Sequence, residues 1–233
     1  MHRRLSVSGY FALLMVIAII LLACFAPFLT SHDPLQIDLS QRFAPMSHSH
    51  WLGTDHLGRD IFARLLYGAR ISLSSSVLIL GLILVLGIVV GGFSGLIGGS
   101  IDQGIMRLCD IFISFPTIIL SLFLVGIFGA GLENVIIAIA LTHWAWYARV
   151  IRSIVFGLKN KEYFLTSIVG GSSFIQCFKD NLWIPIFSQC IVLMTMDIGH
   201  MILHISALSF LGLGVRAPTP EWGVMLADSK EFL

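Results

Sequence analysis

Asp197, His200 and His204 lie in the stretch MTMDIGHMILHISALSFLGLG, Met194 to Gly214, which is otherwise almost wholly apolar. Steps of three and four residues put a carboxylate and two imidazoles on one helix face. Imidazole is a borderline ligand that suits nickel, copper and zinc. A carboxylate within a membrane span is costly and faces a water-filled cavity or a partner. Two chemistries fit the pattern. One is a path for a cation. The other is a structural network, in which the histidines bond to other helices and Asp197 pairs with an arginine. The residues alone favour neither. His200 and His204 also have the i, i+4 spacing of a helical zinc protease site. There the residue after the first histidine is a glutamate, the general base. Here it is Met201, which argues against hydrolysis.

The rest of the chain must supply helices to hold these groups. Of 233 residues, 57% are hydrophobic and 12% charged, about half the charged fraction of a typical soluble domain. Such a chain cannot cover its surface with polar groups, so it belongs to the membrane class. The net charge of +1 gives no argument for a nucleic-acid partner. Cys24, Cys109, Cys177 and Cys190 form no CxxC pair and read as small buried hydrophobes. A GK[ST] sequence is absent, and with it the lysine of a nucleotide-binding P-loop.

Five stretches are candidates for spans: Tyr10 to Leu29, Ile71 to Ile101, Ile111 to Leu132, Asn134 to Ala148 extended by Val150 to Leu158, and Leu182 to Val215. Lipid demands internal backbone hydrogen bonding, so these are expected to be helices. The first follows the basic start His2, Arg3, Arg4 but is about twice the length of a signal-peptide core and lacks a cleavage site, so it reads as a retained helix. Orientation follows Lys and Arg in short segments. The turn around Glu133 carries none, whereas Arg149 to Lys179 holds five. This predicts a cytoplasmic N-terminus and an outside loop from Thr30 to Arg70.

Gly87, Gly91, Gly95 and Gly99 make three successive GxxxG steps, a face for close helix approach or for the lining of a translocation path. In the outer loop, Gly53 and Gly58 mark turns, and Asp55, Arg59 and Asp60 precede Ile61, Phe62, Leu65 and Leu66. That spacing predicts an amphipathic helix in the membrane interface. The segment KEYFLTSIVGGSSFIQCFKDNLWIP, Lys161 to Pro185, is too long for an ordinary connection. Gly170 and Gly171 divide it into two short helices, a plausible docking element for another protein.

Three stretches together resemble one family. LGTDHLGRDIFARLLYGARISL, GGFSGLIGGSIDQGIMRLCDIFISFPT and SFLGLGVRAPTPEWGVML are similar to the second permease subunit of binding-protein-dependent ABC importers for dipeptides, oligopeptides and nickel. NVIIAIALTHWAWYARVIRS and DIGHMILH are most similar to its nickel branch. The resemblance implies an all-α polytopic bundle of the type I importer fold in the bacterial inner membrane. It implies residues 1–30 as the cytoplasmic N-terminus and first span, 31–70 as the outer loop, and 71–233 as the permease core. The outer-loop motif is Gly53, Thr54, Asp55, Gly58, Arg59 and Asp60. An ATPase-coupling loop at about 155–185 is carried by Glu162, Tyr163, Thr166, Ser167, Gly170 and Gly171. Thr166 and Ser167 replace the usual paired alanines, and Asn181 the usual histidine. One further helix is expected beyond Leu233.

The implied mechanism is alternating access. A binding protein delivers cargo to a second permease subunit and this chain, and two ATPase subunits use ATP and Mg²⁺ to drive reorientation. This chain itself would bind no cofactor and perform no catalysis. Its cargo is expected to be nickel or a nickel chelate, with Asp197, His200 and His204 on the path. The rivals are a peptide or metallophore permease and an ATP-independent secondary transporter.

Overall fold

A computed structural model of the chain describes residues 7–230 and 232. The basic His2, Arg3 and Arg4, Leu233, and the side chains of Phe174, Ile175 and Phe178 lie outside the described residues. The described chain is helical, with one isolated bridge between Thr54 and Asp60. The helices are α1 (Val7–Cys24), α2 (Ala26–Leu29), α3 (Ile61–Ile97), α4 (Gly99–Ser114), α5 (Thr117–Phe128), α6 (Leu132–Lys159), α7 (Glu162–Val169), α8 (Phe174–Cys177), α9 (Trp183–Phe210) and α10 (Trp222–Lys230). A π-helical turn, Phe178–Leu182, leads from α8 into α9.

Three helical segments are long and apolar enough to cross a membrane: Ile61–Ile97, Leu132–Lys159 and Lys179–Phe210. A fourth span exists if α4 and α5 are taken together. The architecture is therefore an all-α polytopic bundle with three or four apolar spans among the described residues, where five were expected. The third expected span is interrupted. Pro116 lacks an N–H and forces Phe115 out of the helical region, to φ −100°, ψ 138°. The two helices meet there at 89°. The first expected span is a shorter apolar helix followed by one turn, α2.

The helix expected to lie in the interface before the second span is instead the start of that span. The Asp60 carboxylate accepts the Ala63 N–H at 2.6 Å and caps a helix that runs without a break for 37 residues. At 1.5 Å per residue α3 is about 55 Å long, well over the ~30 Å hydrocarbon core. It ends at Gly98, whose φ of +72° no ordinary side chain tolerates well.

The described residues form two compact units. One runs to Ser75 and resumes at Ile205, and the other is Ser76–His204. In the second, α4 and α5 both pack on α6. Buried Cys109, Ala145 and Ala148 form a core with Val90, Phe112 and Trp144. Cys177 and Cys190 are buried as expected, but Cys24 is exposed.

The glycines of α3 meet α6 at backbone distance. A Cβ on Gly87 would lie 2.8 Å from Tyr147 Cβ, and one on Gly95 would lie 2.9 Å from the Arg152 carbonyl oxygen. A Cβ on Gly91 would overlap the Ala148 carbonyl oxygen. This is the close packing the GxxxG steps predict. Gly99 is not part of it, since it opens α4 beyond the break. Arg149 pairs with Asp110, and Arg152 with Asp102, which also accepts the Ser94 hydroxyl at 2.6 Å.

Gly91→Ala is expected to destabilise the protein by about 1–3 kcal/mol through overpacking. Gly81→Ala, with open space at its Cβ, should be neutral or slightly stabilising. Thermal unfolding of the two variants in lipid nanodiscs checks this, and equal melting temperatures would refute the close approach.

Candidate functional site

Asp197 sits on α9 with its residue only 9% exposed. The structure brings it to α6. His143 Nε2 lies 2.9 Å from Asp197 Oδ2, and the Tyr147 hydroxyl donates to the same oxygen at 3.3 Å. One turn along α9, His200 Nδ1 lies 3.1 Å from Asp197 Oδ1. An ionised carboxylate only accepts, so both histidine nitrogens act as donors here. On the other side of the ring, the Thr117 hydroxyl on α5 lies 3.3 Å from His143 Nδ1. Three donors thus stabilise a charge that lipid would not.

Among the described residues no arginine pairs with Asp197. His143 and Tyr147, four residues apart on α6, take that place. Sequence reading passed over them because one histidine in a span rich in aromatics has no partner until the fold supplies one. Their common i, i+4 face was the available signal.

The three sequence-selected residues do not converge on one point. His200 bonds to Asp197, and its side chain is 69% exposed, which leaves Nε2 with a free lone pair. His204 lies apart: its ring is 6.5 Å from that of His143, and its Nδ1 is buried without a hydrogen-bond partner. Chemically, the carboxylate orients the His200 ring, the arrangement seen around metal-binding imidazoles. It does not form a closed three-ligand cage.

The residues of the loop before α3 form a second assembly, in the first unit. Arg59 is 1% exposed and donates to Asp55 at 2.7 Å and to Asp228 at 3.1 Å. Arg64 is within 3.5 Å of Asp55 and 3.3 Å of Asp228. Two arginines and two aspartates therefore neutralise each other. Thr54 accepts the Ala44 N–H at 2.8 Å and donates to the Gln41 carbonyl. At Gly53, φ is +76° and a Cβ would lie 2.6 Å from the Ala44 carbonyl oxygen. At Gly58, φ is +74° and a Cβ would overlap the carbonyl oxygen of Asp38.

Glu221, at the start of α10, was not singled out from the sequence. It is fully buried and accepts from the Ser72 hydroxyl at 3.1 Å, the Ser206 hydroxyl at 2.9 Å and the Gly223 N–H at 2.9 Å.

The segment after α6 contains α7, a Gly170–Gly171 turn and α8. Thr166 and Ser167 hydroxyls donate to the carbonyls of Glu162 and Tyr163, at 2.7 and 2.9 Å. The Asn181 amide donates to Ser167 Oγ at 3.0 Å. Ser167 and Asn181 thus bond to each other and join the two halves of the segment.

Residues 83–230 match the family profile "Binding-protein-dependent transport system inner membrane component". Residues 8–45 match the "N-terminal TM domain of oligopeptide transport permease C". The chain is 50% identical over 222 residues to the nickel transport system permease protein NikC of Escherichia coli K12, covering 95% of this chain and 80% of that protein. It is 38% identical over 230 residues to the dipeptide transport system permease protein DppC of Alkalihalophilus pseudofirmus, covering 99% and 75%. It is also 38% identical over 222 residues to the metal-staphylopine import system permease protein CntC of Staphylococcus aureus, covering 95% and 77%. The chain belongs to this ABC importer permease family. It is a multi-pass membrane transport subunit, and ATP hydrolysis is not its own chemistry.

The Asp55 carboxyl generates a prediction about pH. Burial pushes its pKa up, but backbone N–H bonds from Leu57 and Arg59 and the Arg59 guanidinium outweigh that and hold it below the ordinary carboxylate value. A lowered folded pKa adds stability that is present above the unfolded value of about 3.9 and is lost as pH falls through the folded value. Asp55→Asn should therefore lower stability at neutral pH and flatten its decline below about pH 4, as measured by thermal unfolding across pH. A decline as steep as the parent's would refute this.

Proposed function

We propose that this chain is the permease subunit that passes nickel, or a nickel chelate, across the bacterial cytoplasmic membrane. The observation that carries the reading is the His143–Asp197–His200 cluster between two apolar helices, together with 50% identity to a protein named for nickel transport. His200 Nε2 offers an exposed imidazole lone pair, and Asp197 supplies negative charge behind it. An open site of this kind suits passing cargo, since a conducting site must bind weakly enough to release. His204 would act as a separate ligand further along the helix.

The rest of the machine follows the family. A substrate-binding protein delivers cargo outside, a second permease subunit completes the pathway, and two ATPase subunits use ATP and Mg²⁺ inside. The absence of Lys and Arg around Glu133, against five from Arg149 to Lys179, supports a cytoplasmic N-terminus and a cytoplasmic loop after α6. That loop carries Glu162, Tyr163, Thr166, Ser167, Gly170 and Gly171. It leaves Tyr163, Leu165, Ile168 and Val169 exposed, Val169 at 87%, as an apolar patch for an ATPase. The outer-loop residues Gly53 to Asp60 would hold the outside face in shape. A peptide or metallophore cargo is the second reading, supported by the two relatives at 38% identity.

Uptake of radioactive nickel by cells expressing the whole transport system tests the cargo. His200→Ala combined with His204→Ala should reduce uptake at least about tenfold, the scale of losing metal-site partners, while the variant still reaches the membrane. Unchanged uptake would remove the histidines from the path.

Co-purification tests the class. The parent chain expressed with its neighbouring genes should retain an ATPase, and Leu165→Asp with Val169→Asp should release it, since a charge in an apolar interface costs affinity. A parent chain that never associates with an ATPase would favour a secondary transporter.

A further inference from the structure

The loop before α3 contains a second cluster that the transport reading does not use. His32, His50 and Asp60 each offer a ligand atom, and these atoms all lie within 4.8 Å of one another. They are the group of His, Cys, Asp or Glu residues with that convergence among the described residues. The His32 and His50 rings stack with centroids 4.8 Å apart. His50 Nδ1 lies 2.9 Å from Asp60 Oδ2.

Asp60 and His32 are each held from behind by a separate bond, and His50 is held by its bond to Asp60. Asp60 is only 5% exposed, and its Oδ1 is committed to the Ala63 N–H at 2.6 Å, which turns Oδ2 toward the imidazoles. His32 is anchored through Nε2, 2.8 Å from the Ser49 carbonyl oxygen. A carbonyl only accepts, so Nε2 carries the proton and Nδ1 has the lone pair. An imidazole whose other nitrogen is bound to a carbonyl is fixed in orientation, which is the usual setting of a metal-ligating histidine.

The surroundings favour a cation. A cavity of about 200 Å³ opens beside the cluster, lined in addition by Asp33 and Asp38, with neither Lys nor Arg in its wall. Two imidazoles and a carboxylate are a donor set for nickel, copper or zinc. Calcium and magnesium take oxygen ligands and suit it poorly.

We propose that His32, His50 and Asp60 bind one divalent transition-metal ion, with the remaining coordination positions taken by water. The ion fastens the loop at His32 and His50 to the N-terminus of α3 at Asp60. This site is separate from the α6–α9 cluster. A resident ion here is compatible with any cargo, so its failure would leave the nickel reading untouched.

The test is equilibrium dialysis of the full chain in lipid nanodiscs against Zn²⁺, Ni²⁺ and Mg²⁺. One Zn²⁺ or Ni²⁺ per chain should be bound at this site in the presence of excess Mg²⁺. His32→Ala and His50→Ala should each weaken that binding by at least about 10–100-fold, the range lost even for outer partners of a metal. His200→Ala combined with His204→Ala should leave it in place. Zn²⁺ should also raise the melting temperature of the parent and not of His32→Ala. Asp60 is kept intact because it caps α3. Each variant is compared only where its melting temperature in EDTA matches the parent's, and His32→Ala, which loses one carbonyl bond and the stack on His50, is the variant kept if His50→Ala does not match. Binding unchanged in His32→Ala would overturn the proposal, as would binding abolished only by the His200 and His204 changes.

Discussion

The close approach of α3 to α6 sets the geometry of the membrane unit. Lipid gives two helices no hydrophobic reason to associate, so contact must come from backbone-level van der Waals packing and internal hydrogen bonds. Gly87, Gly91 and Gly95 provide the first by letting α3 lie against Tyr147, Ala148 and Arg152. Tyr147 then links the two. Its Cβ rests on Gly87, and its hydroxyl reaches Asp197 on α9. A side chain larger than hydrogen at Gly87 would displace the tyrosine and, through it, one donor of the buried carboxylate. Because α4 and α5 also pack on α6, and Thr117 reaches His143 from α5, this one helix gathers the whole polar cluster.

The other unit solves the same problem with charge. Arg59 and Arg64 are almost completely buried, a state that is stable only because Asp55 and Asp228 face both of them. Glu221 is likewise surrounded by donors, from Ser72 and Ser206 to the first N–H groups of α10. These contacts join stretches far apart in the chain. The stretch LGTDHLGRDIFARLLYGARISL and the segment from Glu221 to Asp228 therefore lock onto each other. Removing one partner would leave an unpaired buried charge, which costs about 3–5 kcal/mol.

Much of this was legible in the sequence because apolar length, glycine period and charge bias are local properties. The GxxxG face predicted close packing, and three of its four glycines deliver it. The break in the third span was also written there, in Pro116, but a hydropathy reading averages over one residue. The outer-loop helix was misplaced because nothing between Ile61 and Ile97 stops a helix, so an amphipathic start and an apolar span became one rod. The partners of Asp197 were not legible. His143 and Tyr147 are 54 and 50 positions away, and only the packing of α6 on α9 brings them near. The same holds for His32, His50 and Asp60, which the loop gathers from three points.

The central claim is that the cluster on α6 and α9 lies on the path of a metal cargo. Nickel K-edge X-ray absorption on the assembled importer tests it most directly, with the cycle arrested during transport and with His32 and His50 replaced by alanine so that the loop does not contribute. The account predicts an imidazole scattering signature that diminishes when His200 is also replaced. A spectrum of oxygen ligands alone, indifferent to His200, would contradict it.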